Sequence, residues 1–212
     1  MIHILVGCAS ELPPGLDTTL AQYRYKVFVE RLGWQLPVEA AAVGYERDQF
    51  DRSDTIYVVA RDIEGHICGC ARLLPTTNSY LLGEVFPHLL AGGAIFAAPD
   101  IWELSRFAAV SYTQDGDENA EAATSSARAL LAAAVAYAAQ HGVQRLIGIT
   151  YLSMERWFRR MGVHMHRAGP PVLIDGEPVV ACWIEIDDQT LQALGIETEA
   201  QFPHSPASRW SQ

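Results

Sequence analysis

Four carboxylates fall within one nine-residue segment of the chain, at Glu46, Asp48, Asp51 and Asp54. Carboxylates this close together repel one another unless water or a cation compensates their charge. Two interpretations of the segment follow. It is a solvated acidic loop, or it is a cage for a cationic small molecule, to which the upstream Trp34 would add an aromatic face.

A second segment, W-E-L-S-R-F at 102–107, places two charges inside an apolar strand pattern. Unpaired charges in a core are costly, so Glu103 and Arg106 should either be paired or line a cleft. In a straight strand their side chains would point to opposite faces of the sheet, and a shared site therefore needs a bulge or bend. The alternative is a structural ion pair in which each has another partner.

Arginine supplies 14 of the 15 basic residues, and the exception is Lys26. Arginine is suited to bidentate contacts with carboxylates and phosphates. Arg24 shares a helical face with Phe28, four residues on, and Arg72 comes late in a predicted hairpin strand. Each is a candidate carboxylate clamp or a partner for the acidic segment.

A basic segment over residues 145–167 has a charge of +4 in a chain whose net charge is −10. It is an ordinary solvated helix face, or it is a docking surface for an acidic protein or a phosphate-bearing carrier. The overall negative charge disfavours a general nucleic-acid binder, which needs a basic surface for phosphate contacts.

Hydrophobic periodicity and turn residues predict the elements that must position these side chains. We expect strands over 2–6, 55–60, 66–74, 101–110, 145–150, 172–174 and 178–186, and helices over about 16–33, 81–90, 120–140 and 153–161, with a last short helix opening at Leu191. This order predicts an α/β (α+β) fold, a single-domain, three-layer mixed sheet flanked by helices. The domain would cover 1–202, followed by a loose C-terminal tail over 203–212.

Features that the sequence lacks narrow the location and the chemistry of the protein further. The longest apolar run, 129–139, has 11 residues, whereas a bilayer-spanning helix needs ~20. The N-terminus has no basic region typical of a secretory signal, so we expect a cytoplasmic protein with no membrane association. Four cysteines without C-x-x-C spacing indicate reduced thiols. His164 and His166 lack a third ligand by spacing, so we expect no metal site.

Common nucleophile and nucleotide motifs are missing from the sequence. There is no G-x-S-x-G elbow, Walker loop or strand-linked G-x-G-x-x-G, which disfavours covalent serine catalysis and a Rossmann-type methyltransferase.

Taken together, the motifs resemble those of the bacterial acyl-homoserine-lactone synthases, the autoinducer synthases, over about residues 23–186. The similarity is carried by Arg24, Phe28, Trp34, the E-x-D-x-x-D pattern from Glu46, C-A-R-L-L-P around Arg72, W-E-L-S-R-F at 102–107 and M-E-R-W-F-R-R-M-G at 154–162. Singly these motifs are weak, but their order and spacing are specific.

The resemblance implies a fold like that of the GNAT-type acyltransferases and a reaction between two substrates. One is S-adenosylmethionine, which is a substrate rather than a cofactor, and the other is an acyl thioester, usually on acyl carrier protein. The products would be an N-acyl-homoserine lactone used in quorum sensing, methylthioadenosine and the free carrier.

The resemblance also implies roles for individual residues. Glu103 would be the general base that deprotonates the attacking amine, directly or through a water molecule, assisted at the reacting groups by Arg72 and Arg106. The residues that would hold S-adenosylmethionine are Arg24, Phe28, Trp34, Asp48, Asp51, Arg106 and Phe107. Asp48, Asp51 and Trp34 would lie at its ammonium and sulfonium end.

The acyl chain needs an apolar chamber, for which we predict walls at Leu146, Ile149, Leu152, Met154 and Trp157. The depth of the chamber would select chain length at ~0.8 kcal/mol per buried methylene, and the resemblance suggests an unsubstituted chain of roughly eight carbons. Carrier docking is predicted at Arg156, Arg159 and Arg160.

Two other classes of protein stay open. An ordinary GNAT-type N-acyltransferase would use acyl-CoA, but residues 108–125 contain no glycine-rich pyrophosphate loop; a close variant is a lactone synthase that takes acyl-CoA. The second class is a non-catalytic module that binds a carrier protein or ligand. It would not explain the set of charged residues Glu103, Arg106, Asp48 and Asp51.

Overall fold

The computed structural model describes residues 2–34, 44–92, 95–110 and 120–197. Within these ranges eight strands form one mixed sheet: β1 His3–Cys8, β2 Ile56–Arg61, β3 Ile67–Pro75, β4 Ile101–Ala109, β5 Arg145–Tyr151, β6 Met165–Arg167, β7 Val172–Ile174 and β8 Glu177–Glu185. The strand order is β1-β2-β3-β4-β5-β8-β6, with β7 also paired to β8. The pair β4–β5 is parallel, and the other pairs are antiparallel.

Helices cover both faces of this sheet, which confirms the predicted three-layer mixed fold. One face, called the α3 face here, packs against α3 Ala120–Gln140, α4 Leu152–Arg160 and α5 Asp188–Leu194. The other, called the α1 face, packs against α1 Leu16–Arg24, which continues as a π-helix over Tyr25–Arg31, and against α2 Leu81–Glu84 with the 3₁₀ turn Pro87–Leu89.

The long helix α3 is apolar because it packs directly on the sheet. Leu130, Leu131, Ala134 and Val135 are fully buried in the cluster on the α3 face. With 21 residues, α3 is long and apolar enough to cross a bilayer by length and composition alone. Its buried contacts with the sheet explain the same composition in a folded domain.

Both predicted hairpin turns are confirmed, and their backbone angles show why the residue types matter. In the β7–β8 turn, Asp175 and Gly176 have φ values of 52° and 83°, the pair of positive φ angles that a two-residue type I′ turn requires. In the β2–β3 turn, Gly65 has a φ of 88°.

The structure differs from the predicted elements in two places. The expected helix over 81–90 is split at Pro87, because proline ends α2 and begins the 3₁₀ turn. The edge strand β6 is absent from the sequence prediction, since its three residues are too few to show an alternating pattern and its formation depends on pairing with β8. The predicted tail over 203–212 lies outside the described residues.

Two irregular features of β4 lie where its charged side chains are placed. The β3–β4 register jumps from Cys70↔Ala108 to Arg72↔Ser105, so two residues of β4 oppose one of β3. Arg106, in this bulge, has a φ of 51°, a left-handed conformation that few non-glycine residues adopt. The pairing of β4 with β5 stops at Glu103↔Ile147, although β5 continues along β8 to Tyr151. The ladder between the two central strands therefore ends at Glu103.

Candidate active site

Six charged side chains form one buried network on the α1 face. Arg24 is hydrogen-bonded to Glu46 and makes a bidentate contact with Asp51 at 2.7 and 3.1 Å. Arg72 makes a bidentate contact with Asp48 at 2.5 and 3.1 Å. Arg106 Nη2 donates to Glu46 Oε1 at 2.9 Å and to Asp48 Oδ2 at 2.6 Å.

The acidic segment is therefore not a solvated loop. Glu46 and Arg72 are fully buried, and Arg24 is only 3% exposed. Three arginines and three carboxylates balance in charge, as burial of this many ionised groups demands. The interpretation of Arg24 and Arg72 as partners of the acidic segment is confirmed, and the predicted bulge at Arg106 brings a third arginine to it.

The network also shifts the pKa of Asp51 and of the neighbouring Tyr57. Burial opposes ionisation of Asp51, but the charge and hydrogen bonds of Arg24, supported by Arg72, hold its pKa well below the usual range. Tyr57 Oη donates to Asp51 Oδ1 at 3.1 Å. Burial and the neighbouring Asp51 charge raise the pKa of Tyr57, so the phenol stays protonated.

One nitrogen of the Arg106 guanidinium is not used by the network. Among the residues that the structure describes, its buried Nη1 has no hydrogen-bond partner. The guanidinium carbon lies 5.1 Å from the Trp34 ring centroid and 5.7 Å from that of Phe28, two rings that stack at 4.7 Å. A buried N–H group without an acceptor is costly, so Nη1 is a position where a ligand oxygen would be stabilised.

Glu103 lies on the same face as the network and is only 1% exposed. Its Oε1 accepts the backbone N–H of Leu82 at 2.6 Å, and its Oε2 accepts that of Leu81 at 3.0 Å, at the start of α2. Burial raises the pKa of Glu103, although these N–H groups and the charges of Arg72 and Arg106 oppose the rise. A raised pKa makes an ionised carboxyl a stronger base.

Sequence reasoning left three polar neighbours of the site unassigned. Ser105 Oγ accepts from Arg72 Nε at 3.0 Å, and its position two residues from Glu103 in the strand was the available signal. Tyr57 lies on the same face of the sheet as Arg72 because the two residues are paired between β2 and β3, a register that the sequence alone does not show. Tyr80 precedes α2, and burial together with the Glu103 charge raises its pKa to about 12.

The remaining predicted site residues divide between the two faces of the sheet. Phe107 points away from the charge network to the α3 face, where it meets Phe158 edge-on at 5.5 Å between centroids. On that face it shares a cluster with three predicted acyl-pocket residues, Leu146, Met154 and Trp157. Ile149 packs on the α1 face. Leu152, half-buried, begins α4. The structure therefore does not bring the five predicted acyl-pocket residues to one surface.

The three arginines predicted for carrier docking are exposed on α4, but they are not equivalent. Arg159 Nε donates to the buried Glu155 at 3.0 Å, and Arg167 makes a bidentate contact with the same carboxylate at 2.7 and 2.8 Å. For Arg156 and Arg160 there is no hydrogen bond or ion pair with any described residue. These two remain available to an external partner.

An open groove of about 440 Å³ lies on the α3 face, between α3 and α4. Its lining comes from Glu121, Thr124, Ser125, Arg128, Trp157 and Met161. The groove is thus on the other face of the sheet from the charge network. Its two apolar residues also pack against the core cluster of that face.

The chain matches the family model described as "Autoinducer synthase" over residues 16–194. An acyl-homoserine-lactone synthase of Ralstonia solanacearum is 55% identical over 95% of this chain and 98% of its own length. The chain belongs to the autoinducer synthase family. It is therefore an acyltransferase of the acyl-homoserine-lactone synthase class, and the family resemblance of the sequence motifs is confirmed.

Solved structures agree with this assignment. The fold is similar to TofI in a ternary complex with an inhibitor and MTA, with a TM-score of 0.80, 55% identity and coverage of 92% of this chain and 97% of that one. It is also similar to BjaI, a CoA-dependent acyl-homoserine-lactone synthase, with a TM-score of 0.74 and 28% identity over 92% and 87% of the two chains. A putative N-acetyltransferase from Lactobacillus plantarum, at 19% identity and a TM-score of 0.57, supports the predicted GNAT-like fold alone.

Proposed function

We propose that the protein transfers an acyl group from acyl carrier protein to the amine of S-adenosylmethionine and then closes the lactone, releasing methylthioadenosine. The observation that carries this proposal is the buried donor Arg106 Nη1, which lacks a partner among the described residues and lies in a charge-balanced network on the same face as Glu103. A substrate carboxylate is a suitable acceptor for that donor.

S-Adenosylmethionine offers a carboxylate, an ammonium group and a sulfonium group. Its carboxylate would bind at Arg106, and its cationic groups would lie beside Asp48, Asp51 and the aromatic pair Phe28–Trp34. Arg24 and Arg72 would hold the two aspartates in place through their bidentate contacts. The network is neutral by itself, so the single net positive charge of S-adenosylmethionine would be balanced by the carboxylate of Glu103.

Glu103 would accept a proton from the ammonium group, directly or through one water molecule. The free amine then attacks the thioester carbonyl, a C–N bond forms, and the carrier thiol leaves. The raised pKa makes the Glu103 carboxylate a stronger base, which favours proton transfer from an ammonium group. Arg72 and Arg106, whose charges already act on Glu103, would stabilise its charged form.

Lactone formation follows within the acylated substrate. Its carboxylate oxygen attacks the γ-carbon and methylthioadenosine leaves with the electron pair of the C–S bond. The sulfonium is already a good leaving group, so this step needs mainly a folded conformation in which carboxylate and γ-carbon are adjacent. A carboxylate anchored at Arg106, with the sulfonium near Asp48, would bend the substrate in this way.

The acyl donor is proposed to be a carrier thioester rather than acyl-CoA. Arg156 and Arg160 are exposed without partners among the described residues, which suits docking of an acidic protein. Arg159 would act through Glu155 as a positioning residue, because it is already paired there. The CoA-dependent relative BjaI makes acyl-CoA the second candidate. With such donors the protein would act in the cytoplasm, with no cofactor beyond its two substrates.

The decisive experiment gives the purified protein S-adenosylmethionine with either octanoyl carrier protein or octanoyl-CoA and measures methylthioadenosine and lactone. Lactone formed faster from the carrier thioester would support the proposal. Lactone formed only from octanoyl-CoA would overturn the carrier assignment and keep the synthase. Absence of methylthioadenosine with every donor would overturn the synthase itself.

A further inference from the structure

The carboxylate of Glu103 is bound by two backbone N–H groups at the start of α2. Its oxygens accept the N–H of Leu81 at 3.0 Å and the N–H of Leu82 at 2.6 Å. The helix α2 has only four residues, and a helix this short is not stable by itself. Contacts outside the helix must therefore fix its first turn against the carboxylate.

Tyr80 supplies such a contact through its hydroxyl group. It directly precedes α2 and is only 3% exposed. Its Oη donates to the carbonyl oxygen of Phe96 at 2.7 Å, in the segment that leads into β4. This segment is attached to the end of β3, because Oγ1 of the buried Thr76 donates to the carbonyl oxygens of Ala98 and Ile101 at 3.0 and 2.7 Å. The Tyr80 hydroxyl therefore ties the start of α2 to a segment that is itself held by β3.

The ring of Tyr80 makes a second contact, with the backbone of α2 at Gly83. A Cβ built on Gly83 would lie 2.7 Å from Cζ of Tyr80 and 3.0 Å from both of its Cε atoms. Gly83 is not one of the glycines with a positive φ. The absence of a side chain at this position is thus explained by the packing of the ring and not by the backbone conformation.

Several groups act on the ionisation of Glu103, and they depend on α2 to different degrees. The two N–H groups and the charges of Arg72 on β3 and Arg106 on β4 lower its pKa, against the effect of burial. Tyr80 is neutral, because burial and the Glu103 charge raise its pKa to about 12. Glu84, the charged residue of α2, is exposed. The N–H groups are the members of this set that move with the start of α2.

From these contacts we infer that Tyr80 is a positioning residue for Glu103, because its hydroxyl and ring hold the start of α2 where the two backbone N–H groups bind the carboxylate. The inference deepens the proposed function and rests on it for the role of Glu103 as the base. Loosening the start of α2 would weaken two hydrogen bonds to the ionised carboxylate, so Glu103 would become protonated at a higher pH. Less of the enzyme would then hold a free base on the acid side of the pH profile.

The test follows the titration of Glu103 by NMR in the full chain labelled with ¹³C at its glutamate carboxyl groups, with Glu103→Gln identifying the resonance. Tyr80→Phe removes only the hydroxyl, and we expect it to raise the titration midpoint by about 0.5–1 pH unit, as for weakened hydrogen bonds to a carboxylate. The acid limb of kcat/KM for methylthioadenosine release should move by the same amount. Gly83→Ala keeps the hydroxyl but displaces the ring, and it should shift both readouts in the same direction.

Tyr23→Phe is the matched control, because Tyr23 is another buried tyrosine whose hydroxyl donates to a backbone carbonyl, that of Val110 at 3.2 Å. Tyr23 belongs to a different core cluster from Tyr80. Its variant loses a comparable hydrogen bond, so stability should fall while the Glu103 midpoint stays unchanged.

An unchanged midpoint in both Tyr80→Phe and Gly83→Ala, or an equal shift in Tyr23→Phe, would overturn the inference. If Tyr80→Phe fails to fold, Gly83→Ala decides alone. Failure of the proposed function is recognised separately. The wild-type protein would then release no methylthioadenosine, whereas the carboxyl titration would still report on Tyr80.

Discussion

At the scale of single residues, the chemistry depends on three arginines that serve different purposes. Arg24 and Arg72 use their guanidinium nitrogens on Asp48, Asp51, Glu46 and Ser105. Arg106 also contacts Glu46 and Asp48 yet keeps Nη1 unpartnered within the described residues, and it does so from a left-handed backbone conformation. Strain of this kind persists where the surrounding structure enforces it, commonly at functional sites.

Glu103→Gln separates the proposed base from its structural role. We expect methylthioadenosine release to fall by about 10²-fold or more, because the amide cannot accept the proton. The amide can accept only one of the two backbone N–H groups at α2, so the free energy of unfolding should also fall, by about 1–3 kcal/mol. Turnover and urea unfolding are measured on the same sample, and wild-type turnover would remove Glu103 as the base.

The pH dependence of stability tests Asp51. Its pKa is depressed in the folded protein, so its contribution is present above the ordinary carboxyl pKa of about 4 and is lost as pH falls below that value. Asp51→Asn should destabilise the protein by about 3–5 kcal/mol at pH 7, since it breaks a buried pair. The difference in the free energy of unfolding between this variant and wild type should shrink below about pH 4.

Asp17→Asn is the control, because the ion pair of Asp17 with Arg47 is half-exposed. It should lower the free energy of unfolding by less than ~1 kcal/mol. Equal effects of the two variants at pH 7 would contradict this account.

At the scale of elements, the position where β4 and β5 part is set by backbone contact as well as by pairing. Gly148 follows the last β5 residue paired with β4, and a Cβ built there would lie 2.4 Å from the carbonyl oxygen of Leu104. Only glycine allows this approach. The contact holds the two backbones together at Leu104, one residue beyond the last ladder pair.

Gly148→Ala should therefore shift β4 relative to β5. We expect a loss of about 1–3 kcal/mol in the free energy of unfolding, as for other overpacked sites, and a fall in turnover because Glu103, next to Leu104 on β4, is displaced. Gly7→Ala is the control, since its Cβ would meet the flexible side chain of Glu11 at 3.0 Å rather than backbone. A loss of stability no larger than that of Gly7→Ala would show that the strands adjust freely.

At the scale of the whole molecule, a net charge of −10 conceals surfaces of opposite character. The three carboxylates of the network are compensated inside the fold, whereas two arginines of α4 are exposed without described partners. An acidic carrier would be repelled by the molecule as a whole and attracted by α4. Binding should therefore depend on orientation and on ionic strength.

Arg156→Glu with Arg160→Glu should raise the KM for the carrier thioester by about tenfold at low salt, roughly 0.7 kcal/mol per arginine, and flatten its salt dependence. Lys26→Glu, an exposed charge reversal on the α1 face, should leave the KM nearly unchanged. Steady-state kinetics at two salt concentrations measure both. An unchanged KM in the double variant would mean that the basic surface is only solvated.

Except for the short edge strand β6 and the break in the helix over 81–90, the sequence by itself determined the element order, both hairpin turns and the charged residues that meet in the site. Periodicity, turn chemistry and the cost of unpaired charge are local or pairwise constraints. Only the tertiary structure decided which face each side chain takes. The bulge at Arg106 turns that residue toward Glu46 and sends Phe107 to the opposite face. One extra residue reverses the alternation of a strand. The spacing of Glu103 and Arg106 shows that a shared site needs a bulge, but whether the bulge forms depends on the register with β3.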